Sequence, residues 1–183
     1  MATESEFGEM TRTEQFDVND PVIRKFFLYE RMMDLLVNLT EQRHPLWGRM
    51  TARQMVEHLT RTFEISTGIG EVVVRIPESL TERRKKFLYD NRPTPHAVPN
   101  PLLSDGSYLY SFKSLDEGRL ALSGALIRFR NEHEADSSAI HCHPIFGFLN
   151  MAEWERAHYK HCYHHLLQFS LIHTGSTMPN GMP

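Results

Sequence analysis

The stretch of sequence that decides the fold lies near the C-terminus and reads Trp154-Glu155-Arg156-Ala157-His158-Tyr159-Lys160-His161-Cys162-Tyr163-His164-His165-Leu166-Leu167-Gln168-Phe169. An α-helix turns by about 100° per residue, so residues three or four positions apart share a face. One face of the predicted helix therefore carries Trp154, His158, His161, His165, Gln168 and Ile172. Histidine is costly to bury without a partner, but neutral imidazoles at positions i and i+4 are well spaced to bind one transition-metal ion. The spacing of His161 and His165 predicts a metal site on this face.

The composition indicates one soluble globular domain. The chain has 183 residues, of which 40% are hydrophobic and 23% are charged, and it contains no apolar run of the roughly 18–20 residues that span a membrane. The first residues lack the order of a signal peptide, and two cysteines are too few for a disulfide framework, so a cytoplasmic location is expected. A formal net charge of -3 argues against broad nucleic-acid binding.

Four amphipathic segments are predicted to be helices. Asp20 caps the first of them ahead of Pro21, and Thr51, Ser114 and Asn150 begin capping boxes at the other three. The apolar periodicity places the helices at about residues 20–39, 51–68, 114–133 and 150–173. We therefore predict an all-α fold, a four-helix bundle with a long, partly irregular connection between the second and third helices.

The predicted domain covers residues 19–174. Residues 1–18 are polar and without period, and residues 175–183 are rich in Gly, Ser and Pro, so both ends are expected to be disordered.

The connection at residues 71–111 gives a mixed signal. Val72-Val73-Val74 fits a strand or the end of a helix, and residues 80–88 fit a short basic helix. So long a connection inside a domain is usually functional or packed across one end of the fold, and residues 96–103 are expected to shape a pocket. The run Arg83-Arg84-Lys85-Lys86 is interpreted as a solvated face, with contact to an anionic partner as the alternative.

Two of the helix starts share one pattern. His44-Pro45-Leu46-Trp47-Gly48-Arg49-Met50-Thr51 matches His143-Pro144-Ile145-Phe146-Gly147-Phe148-Leu149-Asn150 position by position. The simplest explanation is two equivalent helix starts, each fixed by a Pro-containing turn, a Gly able to adopt positive φ and a cap with a hydrophobic staple. His44 and His143 then belong to the turns, where capping is a simpler role than catalysis.

The second helix contributes a third histidine. His58 lies about 60° from Met55 on the stripe of residues that should be buried. With His161 and His165 it would supply three neutral imidazoles from two helices and leave a position for water or substrate, as in a catalytic metal site. The alternative is that the three are core or surface histidines with ordinary hydrogen-bond partners.

Several neighbours are candidates for catalytic or supporting roles. Gln168 could orient a ligand or bind a substrate, or it could simply bond to backbone. His158, one turn before His161, could replace a ligand or form a pocket wall. Glu57, like Glu64, flanks His58 and is a candidate base.

The remaining histidines and both cysteines have simpler interpretations. His164 lies off the inner stripe and is expected at the surface or in support of a ligand. His141-Cys142-His143 resembles a ligand cluster, but adjacent loop residues seldom all point at one ion. Cys162 is expected to be a small apolar filler.

The motifs resemble those of the DinB/YfiT-like superfamily. The resemblance rests on Trp47-Gly48-Arg49-Met50-Thr51-Ala52-Arg53-Gln54-Met55-Val56-Glu57-His58-Leu59 and on the later pattern His143-Pro144-x-Phe146-Gly147, Glu153-Trp154 and His161-x-x-His164-His165-x-x-Gln168-Phe169. It implies a four-helix bundle that binds a divalent metal through His58, His161 and His165. It also implies thiol-dependent transfer or isomerisation with a low-molecular-weight thiol, or hydrolysis.

The leading hypothesis is a divalent-metal-dependent enzyme that activates a thiol or water toward a small electrophilic substrate. Thiol transfer is the first choice, with hydrolysis or isomerisation next. Zn²⁺ is the expected ion, with Ni²⁺, Fe²⁺ or Mn²⁺ as alternatives, and a low-molecular-weight thiol is an expected cosubstrate. A homodimer is expected, with neither a nucleic-acid nor a membrane partner. The alternative is a non-catalytic bundle that binds a small ligand or a protein.

Overall fold

In a computed structural model of the chain, the described residues are 13–70, 72, 77–96 and 112–174. These residues form five helices, which we label α1 to α5, and four short strands, β1 to β4.

Helix α1 is continuous but changes its winding in the middle. It runs through an α-helical segment, Pro21–Phe26, a π-helical turn, Phe27–Arg31, and a second α-helical segment, Met32–Leu36. The Asp20 side chain accepts hydrogen bonds from the backbone N–H groups of Val22 and Ile23, as the predicted cap requires.

The predicted starts of three further helices are confirmed. Helix α2, Ala52–Ser66, and helix α5, Met151–Gln168, each begin with a complete capping box, Thr51 with Gln54 and Asn150 with Glu153. Helix α4, Leu115–Ala135, is capped by Ser114, which accepts from the N–H of Glu117. The second half of the predicted box is absent there, because Glu117 accepts from the N–H of Lys113 instead of Ser114.

The prediction of an all-α four-helix bundle is wrong. Helix α3, Glu78–Lys85, continues as a 3₁₀ turn at Lys86–Tyr89 and adds a fifth helix within the long connection, where residues 80–88 fit a short basic helix. Strands β2, Ile140–His143, and β3, Gly147–Asn150, form an antiparallel hairpin before α5. The described chain is therefore a mixed α/β fold.

A second pair of strands joins the two ends of the described chain. Strand β1, Thr13–Glu14, pairs in parallel with β4, His173–Thr174. Residues 13–18 were expected to belong to a disordered arm, but Val18 is fully buried and Phe16 stacks on Tyr159 of α5. The rest of the predicted arm, residues 1–12, and the predicted tail at 175–183 lie outside the described residues.

Helix α5 lies at the centre of the packing. It contacts α1, α2, the 3₁₀ turn after α3, and β3. Its inward side chains meet large apolar residues from the other helices, and the largest fully buried side chains include Leu28, Met32, Leu36, Met55, Leu59, Phe63, Phe129, Trp154 and Tyr159. The histidine-bearing helix is thus held on several sides.

Across the residues that the structure describes, none of the helices combines the length and the apolar character needed to cross a membrane.

Candidate metal centre

Three histidines from two helices lie together between α2 and α5. The Nε2 atom of His58 lies 2.7 Å from Nε2 of His161, which in turn lies 3.0 Å from Nε2 of His165. The potential ligand atoms of the three rings all lie within 4.8 Å of one another. His58 is 4% exposed and His165 6% exposed, whereas His161 is half-buried and lies on the more open side of the cluster.

The proton inventory of the cluster fits a cation better than it fits a hydrogen-bond network. A neutral imidazole carries one N–H and one lone pair, so of two facing ring nitrogens one must donate and the other accept. His161 faces both of its neighbours through one nitrogen, which can satisfy only one of them as a donor. A cation at the centre would accept all three lone pairs, and three imidazoles are a donor set that suits Zn²⁺ and other first-row divalent ions.

The cluster is also held in the uncharged form that metal binding requires. Burial is the main cause that lowers the pKa of His58 to about 4, and the electrostatic effects of the neighbouring His164 and Arg61 act in the same direction. Burial and the neighbouring histidines lower the pKa values of His161 and His165 well below the ordinary histidine value. All three rings are therefore neutral near pH 7 and keep a lone pair for a ligand bond.

Gln168 fixes which nitrogen of His165 carries the proton. Its Nε2 donates to the carbonyl oxygen of Trp47 at 2.8 Å, so its Oε1 faces Nδ1 of His165, also at 2.8 Å. An amide oxygen can only accept, so the proton of His165 sits on Nδ1 and the lone pair on Nε2 points at the other two histidines. Gln168 therefore bonds to the backbone, as one interpretation predicts, and also contacts His165 as the ligand-orienting interpretation requires.

An aromatic wall stands beside the cluster. The ring of His96 stacks on Trp47, with centroids 3.8 Å apart and planes 8° apart, and His164 meets Trp47 edge-on at 5.5 Å. The ring of His164 also lies 5.1 Å from that of His165, and its Nδ1 donates to the carbonyl of Thr94 at 3.3 Å. We name Trp47, His96 and His164 the aromatic wall. Residues 97–103 of the predicted pocket loop lie outside the described residues.

The candidate catalytic residue His158 lies in the core. Its ring is fully buried, stacks on Phe63 at 3.8 Å and meets Phe129 edge-on at 4.7 Å. The Ser66 hydroxyl donates to the Phe63 carbonyl at 2.7 Å and accepts from Nε2 of His158 at 2.8 Å. His158 therefore stabilises the junction of α2, α4 and α5 and is not one of the three clustered histidines.

Glu57, the other catalytic candidate, has a charged partner in its own helix. Its carboxylate is buried, and Oε1 lies 3.6 Å from Nη2 of Arg61, one turn further along α2. Among the described residues, Glu57 is not part of the cluster that could hold a metal ion.

The histidines of the hairpin have structural partners. Nδ1 of His143 accepts from the backbone N–H groups of Ile145 and Phe146, which confirms its predicted capping role. Burial lowers its pKa to about 3. His141 bonds to Glu132 of α4 at 2.7 Å, and among the described residues the His141-Cys142-His143 run does not form a group that could hold a metal ion.

Cys162 is fully buried among core residues, as expected for an apolar filler, and burial raises the pKa of its thiol.

The residues that hold the histidine cluster in place are not evident from the sequence. Trp47 and Gly48 were noticed as parts of a repeated helix start, without a role at the site. Thr94 carried no signal, because a backbone carbonyl that accepts from His164 depends only on the path of the chain. The repeat was the sequence signal that could have pointed to these supports, since its first turn contacts the end of α5 through the bond from the N–H of Leu46 to the carbonyl of Gln168.

Fold and site together define a mainly helical protein with a small hairpin and three convergent imidazoles between two helices. Residues 111–171 match a family described as "Protein of unknown function (DUF1569)". The matched stretch contains α4, the hairpin and α5, with His161 and His165, and leaves out His58 and α2. No curated protein and no solved structure matches the chain.

Proposed function

We propose that the protein is a divalent-metal-dependent enzyme whose ion is held by His58, His161 and His165. The observation that carries the proposal is the convergence of three neutral imidazole nitrogens from two helices, one of them on the more open side. No carboxylate or thiolate takes part in that cluster among the described residues, so a bound ion would keep its full charge.

The proposed reaction activates a thiol or water toward a small electrophilic substrate, with thiol transfer as the first choice and hydrolysis or isomerisation next. A divalent ion supplies Lewis acidity there, which lowers the pKa of a coordinated thiol or water. Zn²⁺ is the proposed ion, with Ni²⁺, Fe²⁺ or Mn²⁺ as alternatives, because three imidazoles suit each of them. The resemblance to the DinB/YfiT-like superfamily stays a prediction.

Residues around the three histidines would orient a ligand ring and cover one side of the site. Gln168 holds His165 in the tautomer that presents Nε2 to the ion. The aromatic wall covers one side of the site, and the Nδ1–H bond of His164 to Thr94 leaves Nε2 as the hydrogen-bond acceptor of that ring. A small substrate with an apolar body would pack against Trp47 and His96.

We also propose a cytoplasmic location, a low-molecular-weight thiol as cosubstrate and a homodimeric state. Cys142, which is half-buried on β2, and the buried Cys162 are free thiols, which fits a reducing compartment. The dimer rests only on the frequency of twofold symmetry among soluble proteins.

The test is elemental analysis of freshly purified protein, with variants in which each of the three histidines is replaced by alanine. We expect one equivalent of a transition metal in the wild type, loss of most of it in His58→Ala, His161→Ala and His165→Ala, and retention in the exposed control His44→Ala. Chelation should lower Tm, because the ion binds only the folded state. Metal-free wild type with an unchanged Tm would favour the non-catalytic alternative.

If metal is present, activity is then assayed with and without a low-molecular-weight thiol. A rate that requires the thiol supports transfer or thiol-dependent isomerisation, whereas a rate that does not require it supports hydrolysis.

A further inference from the structure

We propose that residues 46–48 of the first repeated turn are part of the metal centre, and that Gly48 and the Trp47 carbonyl are positioning residues for the ligand His165. This inference rests on the proposed function. It assigns to the first copy of the repeated turn a role beyond starting a helix.

The turn holds Gln168 at both its main chain and its side chain. The N–H of Leu46 donates to the carbonyl of Gln168 at 2.7 Å, and the side-chain Nε2 of Gln168 donates to the carbonyl of Trp47 at 2.8 Å. Oε1 of the same side chain then meets Nδ1 of His165 at 2.8 Å. The position of Trp47 therefore sets the orientation of a ligand ring two contacts away.

Gly48 supplies the space in which this arrangement forms. A Cβ atom at position 48 would lie 2.9 Å from Nε2 of Gln168, closer than side chains tolerate. The amide would have to move away from the Trp47 carbonyl, and Oε1 would then leave Nδ1 of His165. Gly48 also has φ of +81°, which an L-residue adopts only with strain.

The second copy of the turn shares a glycine with positive φ but serves a different purpose. Gly147 has φ of +71°, but a Cβ there would meet Thr81 of α3 at 3.3 Å. Its leading histidine, His143, accepts hydrogen bonds from within the turn, whereas the equivalent His44 is exposed. Starting a helix therefore needs only the shared features, and the contact with Gln168 is particular to the first copy.

The experiment measures the dissociation constant for Zn²⁺, by competition with a chromogenic chelator, in wild type, Gly48→Ala and Gly70→Ala. Gly70 is the matched control, because its φ is +94° and no atom of the described residues lies within 4 Å of a Cβ built there. Replacing a group that orients a metal ligand typically weakens binding about 10–100-fold, which we expect for Gly48→Ala. Gly70→Ala should leave the constant unchanged, although both variants lose stability to backbone strain.

A double-mutant cycle separates positioning from general damage. In a Gln168→Ala background, Gly48→Ala should weaken Zn²⁺ binding no further, because the side chain it displaces is gone. The visible absorption of the Co²⁺-substituted protein should change in Gly48→Ala and stay that of wild type in Gly70→Ala. Additive losses of affinity, or equal losses in the two glycine variants, would overturn the inference.

Two outcomes distinguish this inference from the proposed function. Wild type that binds Zn²⁺, with Gly48→Ala binding equally well, overturns only the role of the turn. Wild type that binds no metal overturns the proposed function and the inference together. If Gly48→Ala does not fold, Gln168→Met is measured instead, since it keeps the volume and removes the amide. It must weaken Zn²⁺ binding by the expected factor of about 10–100 for the inference to stand.

Discussion

At the scale of single residues, the most consequential pair outside the histidine cluster is Arg24 with Glu155. Arg24 is 5% exposed and Glu155 1% exposed, and Nε and Nη2 of the arginine both lie 2.9 Å from Oε1 of the glutamate. The second carboxylate oxygen is buried without a hydrogen bond in the described residues and lies 3.6 Å from Nδ1 of His133. Removing one member of a buried ion pair lowers the free energy of unfolding by more than the pair itself contributes, because the other charge stays buried without a partner.

We therefore expect Glu155→Gln to lower the free energy of unfolding by about 3 kcal/mol, since Arg24 keeps its charge without a counter-ion. The same substitution in an exposed pair is the control. Glu134 lies 3.0 Å from Arg130 with both side chains largely in solvent, so Glu134→Gln should cost less than about 1 kcal/mol. Urea unfolding at pH 7 measures both, and equal costs would contradict the buried-charge argument.

At the scale of elements, helix starts could be predicted and the strands could not. The caps at Asp20, Thr51 and Asn150 depend on side chains two or three positions from the groups they bind, so sequence alone contains the interaction. The hairpin depends on register across the turn, with Cys142 opposite Phe148. Its strands are four residues long and hold at most two periods of alternation, and Leu149 and Asn150 already had an explanation as a staple and a cap.

The cap of α2 can be tested directly. Thr51→Ala should lower the free energy of unfolding by about 1 kcal/mol, because the N–H of Gln54 loses its acceptor at the first turn. Thr51→Ser keeps the hydroxyl and should stay close to wild type. Thermal and urea unfolding measure the difference in stability between the two variants. Equal stabilities would show that the Thr51 hydroxyl contributes nothing.

At the scale of the whole molecule, several neutral histidines are buried in the interior of the fold. His58, His143, His158 and His165 are each less than a tenth exposed, and burial is the largest cause of the lowered pKa of every one. The periodicity of one helix and the repeated turn were enough to predict the three clustered histidines. The loop that begins at His96 was expected to shape a pocket, but its contact with Trp47 could not be predicted, because that contact depends on how α3 and the following loop return to the site.

The buried histidines should make the metal-free protein sensitive to acid. Between the folded pKa of His143, about 3, and an unfolded value near 6.5, the unfolded chain binds more protons. Stability therefore falls as pH decreases through this interval, by up to about 1.4 kcal/mol per pH unit for each such histidine. Urea unfolding of chelator-treated protein at several pH values between 7 and 5 measures the slope.

A variant at position 143 isolates one contribution to that slope. His143→Asn keeps an oxygen that can accept from the N–H groups of the turn but does not titrate, so its stability should depend less steeply on pH. The exposed His44 is the control, and His44→Asn should leave the slope unchanged. A slope that His143→Asn leaves intact would show that this ring does not contribute.

The positions of the two tryptophans give the molecule a pair of distinct optical reporters. Trp154 is fully buried, and its indole N–H bonds to the carbonyl of His141, so its emission should remain blue-shifted for as long as the hairpin stays on α5. Trp47 is only half-buried and stacks on the exposed imidazole of His96, so its emission should respond to anything that displaces that ring. The Trp47→Phe variant would report on the interior through Trp154, and the Trp154→Phe variant would report on the aromatic wall through Trp47, without an added dye.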